Sequence, residues 1–191
     1  MRGKKAYRWR AKDSKTRFKL FGLLTRNRSY EQGAKKLYMS IKERCYPQFI
    51  EAKRKGRKII FVSDKLEHYK KGFNKFFRNV AELRFGVPIK CQKYGYKHNN
   101  NPIERDNREV KQRYRPMIGF KKASSANVIL DFFDIYDNYI DKQRIKRKSK
   151  KTKKWITGEK RWRTPAERAR IRLDLGDNYQ FLNLIRVSKI K

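Results

Sequence analysis

Two acids and their settings carry most of the chemistry this sequence offers. Asp64 closes the run 58–64 (KIIFVSD), short, apolar and rich in β-branched and aromatic residues. Such a run reads as a buried strand. The C-terminal end of a strand in an open α/β sheet is where ligands and catalytic groups gather. Glu104 has a different setting. The polar residues 98–101 (HNNN) form a loop, Asn101 suits an N-cap and Pro102 suits the first turn of a helix. Glu104 then falls in that first turn, where the helix dipole favours a carboxylate. Behind it Arg105, Arg108, Lys111, Gln112, Arg113 and Arg115 wrap the helix in positive charge. One acid at the head of a basic helix can hold a metal ion beside a phosphate backbone. The same residues also suit a plain solvated basic helix with an N-terminal Glu. Forty positions separate Asp64 from Glu104, so only tertiary folding can bring them together.

The elements that must position these acids can be read in order. Residues 6–12 alternate rings with charges, and residues 17–24 follow after an Asp13-Ser14-Lys15 turn, which predicts an antiparallel hairpin. Ser29 is placed to cap a helix whose buried stripe is Ala34, Leu37, Tyr38, Ile41 and Cys45, with Pro47 ending or kinking it. After the Asp64 strand, Leu66, Tyr69, Phe73 and Phe76 or Phe77 recur at helical spacing. Residues 81–96 read as a helical turn and a short strand near Pro88–Cys91. Ser124 is a candidate cap for a long helix with Asp131, Asp134, Asp137 and Asp141 on a solvated face that keeps it off DNA. Residues 143–163 are dense in Lys and Arg, a block expected to self-repel and move when free, with Trp155 and Trp162 packing locally or stacking on bases. Thr164-Pro165-Ala166-Glu167 is a capping box ahead of a short helix, and the tail from Asn178 is weakly helical.

Charge limits the partners. The 191 residues carry 54 Lys and Arg against 18 Asp and Glu, a net charge of +36, which favours a polyanion. No apolar span is long enough to cross a bilayer, and no amphipathic or lipidation signal supports a membrane surface. Cys45 and Cys91 make no disulfide framework, and Cys91 with His98 is too little for a zinc site. The absence of a signal-peptide core leads us to expect a cytoplasmic protein.

Several of these runs resemble DDE transposases of insertion sequences, in particular the insertion-sequence family numbered six and its archaeal relatives. The resemblance rests on residues 100–121 (NNPIERDNREVKQRYRPMIGFK), on Val62-Ser63-Asp64, on residues 7–13, on Ser124-Ser125-Ala126 and residues 133–140, and on Thr164–Glu167. It implies an α/β fold: an RNase H-like mixed sheet flanked by helices and lacking its first strand. Residues 1–142 would be a partial catalytic domain, and residues 143–191 a basic segment with a helical tail. It also implies the metal chemistry. Asp64 would act as the second acid and Glu104 as the third, sharing paired Mg²⁺ or Mn²⁺ ions that activate water to cut a transposon end and then the freed 3′-hydroxyl to join target DNA. The first acid of the family lies on a strand ahead of the segment matching residues 3–7, so this chain reads as N-terminally truncated, and Asp13 matches a different family position. The expected partners are transposon ends and target DNA, with a homo-oligomer allowed. Arg105, Arg108, Lys111, Arg113, Arg115, Lys121, Arg147, Lys148, Lys150 and Lys151 are the expected DNA contacts. The alternative is a catalytically inactive nucleic-acid-binding remnant. A ribosomal-type basic protein would explain the charge but not the motifs.

Overall fold

The computed structural model describes residues 6–86, 101–114, 122–148, 155–176 and 178–189. They form a mixed α/β chain with three two-stranded sheets among the described residues. The chain divides into two compact units. One comprises Met1–Lys12 and Leu20–Leu130, the other Asp13–Lys19 and Asp131–Lys191.

The first unit is built on aromatic packing. Strand β1 (Tyr7–Lys12) pairs with β2 (Lys19–Thr25). Ser29 accepts a hydrogen bond from the Gln32 N–H, as an N-cap should, and a π-helical turn (Tyr30–Ala34) leads into α1 (Lys35–Arg54). Pro47, expected to end or kink this helix, lies inside it, and α1 continues to Arg54. An internal proline costs about 3 kcal/mol. Here Phe49 is 5 % exposed and packs on Phe77 and Phe61, with Tyr46 and Ile50 alongside, so burial beyond the proline offsets that loss.

Strand β3 (Ile59–Ser63) is joined by α2 (Glu67–Phe76) to a parallel partner, β4 (Ala81–Phe85). The helical turn expected at the start of residues 81–96 is strand instead, and Pro88–Cys91 lie outside the described residues. Ile59, Phe61, Ala81 and Leu83 belong to the core that α1 and α2 cover, while Ile60 and Val62 face outward, so the run expected to be a buried strand is covered on one face only. Two close approaches need glycine. A Cβ on Gly33 would lie 1.8 Å from the Trp9 ring, and one on Gly72 would lie 2.4 Å from the Tyr38 ring. Helix α3 (Asn101–Tyr114) packs against β1. Helix α4 (Ala123–Tyr139) begins ahead of Ser124, so that residue is inside the helix and not its cap. In this unit Asn127 accepts a hydrogen bond from the Leu24 N–H at 2.8 Å and donates one to the Leu24 carbonyl at 3.3 Å.

In the second unit the last turns of α4 carry the acids expected on a solvated face. Asp134 and Asp137 are instead buried, at 9 % and 4 % exposure. The cause is Lys19, itself buried, whose ammonium sits 3.4 Å from Asp134 and hydrogen-bonds to Asp137. A buried ammonium is tolerated only with such partners, so these carboxylates hold a strand lysine and do not form a solvated face. Strands β5 (Gln143–Lys148) and β6 (Trp155–Arg163) pair antiparallel, with a register shift between Ile145 and Arg147. The block expected to be mobile therefore contains a hairpin. The Thr164 capping box opens α5 (Pro165–Arg168), and α6 (Gln180–Lys189) follows, with Phe181 edge-on to Phe132 at 5.3 Å.

Candidate functional site

Asp64 follows directly on Ser63, at the carboxyl end of the parallel β3–β4 pair. Its Oδ1 accepts the Leu66 N–H at 3.1 Å, which fixes the turn into α2. Its Oδ2 lies 3.5 Å from the Arg28 guanidinium, with each side chain about half exposed. Arg28 also stands over the Tyr7 ring at 5.9 Å. The electrostatic reach of Asp64 is visible at Tyr69. Burial pushes that hydroxyl up to about 12, the Asp64 carboxylate adds to the rise and Arg28 opposes it. Tyr38 is raised by the same burial, by Tyr69 and by Asp64. The acid therefore borders the aromatic core on one side and solvent on the other.

Helix α3 has two clearly different faces. Ile103, Asp106, Asn107, Val110 and Arg113 form the stripe turned inward, at helical spacing. Glu104, Arg105, Arg108 and Lys111 are exposed on the outward side, as is Glu109. The inward face is held by charge: Asp106 is 2.7 Å from the Arg10 guanidinium and 2.7 Å from the Lys12 ammonium, with Asp106 and Arg10 each at 2 % side-chain exposure. Arg113, expected among the DNA contacts, is half-buried on the inner stripe and engaged with the protein. The outward helix face is thus narrower than a uniform basic coat, and it sets Glu104 and Glu109 among three cations.

A second basic surface lies in the β5–β6 hairpin. Arg144 is directly opposite Trp162, and Gln143 is opposite Arg163. Arg144, Trp162 and Arg163 are exposed, Trp162 by 53 %, and Arg17 donates to the Gln143 side chain at 3.3 Å. Arg147 and Lys148 belong to β5, but their side chains lie outside the described residues, as do Arg115, Lys121, Lys150 and Lys151 altogether.

The oxygen donors of Asp64 and Glu104 suit a hard cation such as Mg²⁺ or Mn²⁺ in kind. Among the described residues no three His, Cys, Asp or Glu side chains come together to hold a metal ion. Asp13, the first acid of the sequence and directly after β1, is engaged in its own turn, where its carboxylate accepts the Lys15 N–H at 3.2 Å and the Thr16 N–H at 3.1 Å. No helix among the described residues is long and apolar enough to cross a membrane.

Sequence reasoning missed Arg28 and Asp106. Both were hidden among many like residues: Arg28 is one of 54 cations, and Asp106 sits in a helix read by its basic face. The signal for Asp106 was its spacing, since it lies three residues after Ile103 and four before Val110, on the apolar stripe.

Residues 1–143 match the family model DDE_Tnp_IS240, described as a DDE domain. Neither the curated proteins nor the solved structures gave a match.

Proposed function

The chain belongs to this DDE domain family of insertion-sequence transposases, and on that premise we propose that it binds insertion-sequence ends and target DNA, contributing Asp64 and Glu104 to strand cleavage and joining. The observation that carries the reading is the outward face of α3, where Glu104 stands among Arg105, Arg108 and Lys111. Cations so arranged hold a phosphate backbone against a carboxylate. Asp64, at the carboxyl end of a parallel strand pair, is the second acid of this reading. An RNase H-like sheet, with β1–β2 and β3–β4 as parts of it, is the fold that goes with it. Residues 1–142 form the catalytic domain and residues 143–191 the basic appendage. Asp64 and Glu104 would hold a divalent ion, Mg²⁺ or Mn²⁺, which would supply activation of water and of the 3′-hydroxyl. The chain's own residues grip and orient the DNA.

A second reading is DNA binding without cleavage. It is favoured by the Arg28–Asp64 pair, which engages one of the two acids with a cation of the protein itself. Excision of a marked element in cells tests both. Under the transposase reading excision occurs and is abolished by Asp64→Asn and by Glu104→Gln. Excision that never exceeds background, with end-DNA binding intact, selects the binding reading. Excision indifferent to both substitutions rejects the two acids.

A further inference from the structure

We infer that Asp106 is a positioning residue: by clamping α3 to β1 it sets the rotation of the helix that turns Arg105, Arg108 and Lys111 toward DNA phosphates. This rests on the proposed role of the α3 outward face in DNA binding.

Asp106 faces two cations of one strand, Arg10 and Lys12, each at 2.7 Å. Residues two apart on a strand share a face, so a single carboxylate spans two successive rungs of β1. The Asp106 and Arg10 side chains are both 2 % exposed, and Lys12 is 10 % exposed. A buried ionic cluster of this kind gives little net stability, because desolvation offsets the attraction. What it supplies is registry, since the charges tolerate only the arrangement that pairs them. An apolar stripe alone would allow α3 to roll by a fraction of a turn. The stripe here is short, with Ile103 half-buried and Val110 buried. Asp106 lies between them and removes that freedom.

Rotation matters because the outward residues leave the same helix at fixed angles to Asp106. Arg105 and Arg108 flank it in sequence, and Lys111 lies one turn beyond Arg108. A helix residue advances about 100°, so rolling α3 by one position would swing an outward cation to its side.

Electrostatics alone predicts the opposite outcome. Removing an acid from a protein of net charge +36 should strengthen DNA binding. The experiment measures duplex DNA affinity of the full chain across a range of salt concentrations. It compares the parent, Asp106→Asn, the paired Arg10→Met/Asp106→Leu variant, and the triple variant Arg105→Ala/Arg108→Ala/Lys111→Ala, with thermal unfolding of each. The paired variant replaces Asp106 and Arg10 by apolar groups at unchanged net charge, and it keeps the test open if Asp106→Asn does not fold. Releasing one DNA phosphate from its cation lowers the slope of log affinity against log salt by about 0.9. The expected result is a slope reduced by about 1–3 in the folded Asp106 variant, approaching the triple variant, even in Asp106→Asn, which adds positive charge. A slope equal to or steeper than the parent's, in a folded Asp106 variant, overturns the inference. If the triple variant itself leaves the slope unchanged, α3 does not touch DNA and the underlying reading of that face fails with it.

Discussion

Asn138 and Lys19 are joined by two hydrogen bonds: the Lys19 N–H donates to Asn138 Oδ1 at 2.8 Å, and Asn138 Nδ2 donates to the Lys19 carbonyl at 3.0 Å. A side-chain amide thus does for the start of β2 what a neighbouring strand would do, satisfying a donor and an acceptor together. Both residues are buried, at 5 % for Asn138 and 7 % for Lys19.

Asn138→Ala should therefore be costly well beyond its size. Leaving a buried N–H and a buried carbonyl unpaired costs about 1–3 kcal/mol each. Urea unfolding should show a loss of about 2–6 kcal/mol. A loss below about 0.5 kcal/mol, the range of an ordinary surface substitution, would mean that this grip on β2 is not formed in solution.

Alkaline pH offers a probe of Asp64. A tyrosine ionises near 10 when unfolded, whereas burial, with help from the Asp64 carboxylate, raises Tyr69 to about 12. The neutral hydroxyl is thus favoured in the folded protein. Its stabilising contribution is complete below about pH 10 and is lost as the pH rises from about 10 toward about 12. Asp64→Asn removes one cause of the rise and should let Tyr69 ionise at lower pH. Ultraviolet absorbance titration of the phenolate, with Tyr69→Phe to assign the signal, measures it. An unchanged titration would show that Asp64 does not face the ring.

The basic hairpin should govern part of the salt response. Arg144 and Arg163 are exposed on β5 and β6 around the exposed Trp162. Removing residues 143–163 should flatten the slope of log affinity for duplex DNA against log salt, by about 0.9 for each phosphate released. Trp162→Ala should leave that slope intact but weaken binding to an unpaired strand about 5- to 150-fold, as removal of one stacking platform would. An unchanged slope after the deletion means that the hairpin does not reach phosphates.

Much of the first unit was legible because its signals are local. The alternation in β1 and β2, the Ser29 cap, the KIIFVSD strand and the spacing of Leu66, Tyr69 and Phe73 each point to the element that forms. The errors fall where tertiary contacts outweigh local preference. Asp134 and Asp137 look like a solvated face until Lys19, more than a hundred positions away, is brought beneath them. Pro47 reads as an end or a kink, and α1 runs on past it where Phe49 finds Phe61 and Phe77. The β5–β6 hairpin was obscured by its charge, although Ile145 on one strand and Trp155, Ile156 and Thr157 on the other are residues that favour strands. At the candidate site, the strand end at Asp64 and the place of Glu104 in the first turn of α3 could be read, but the clamp behind Glu104 could not. Asp106 gains its meaning only from Arg10 and Lys12, which lie 96 and 94 positions earlier.

On the reading proposed above, Asp64 and Glu104 are acids of one strand-cleaving site. The decisive assay is release of a 3′-hydroxyl at insertion-sequence end DNA in Mn²⁺ by the protein. The parent is compared with Asp64→Asn and Glu104→Gln. The parent should cleave, and each variant should lose at least about 100-fold in rate, with DNA affinity unchanged within a few-fold, as expected for groups that act on the transition state. Cleavage that persists near the parent rate in either variant would remove that acid from the site.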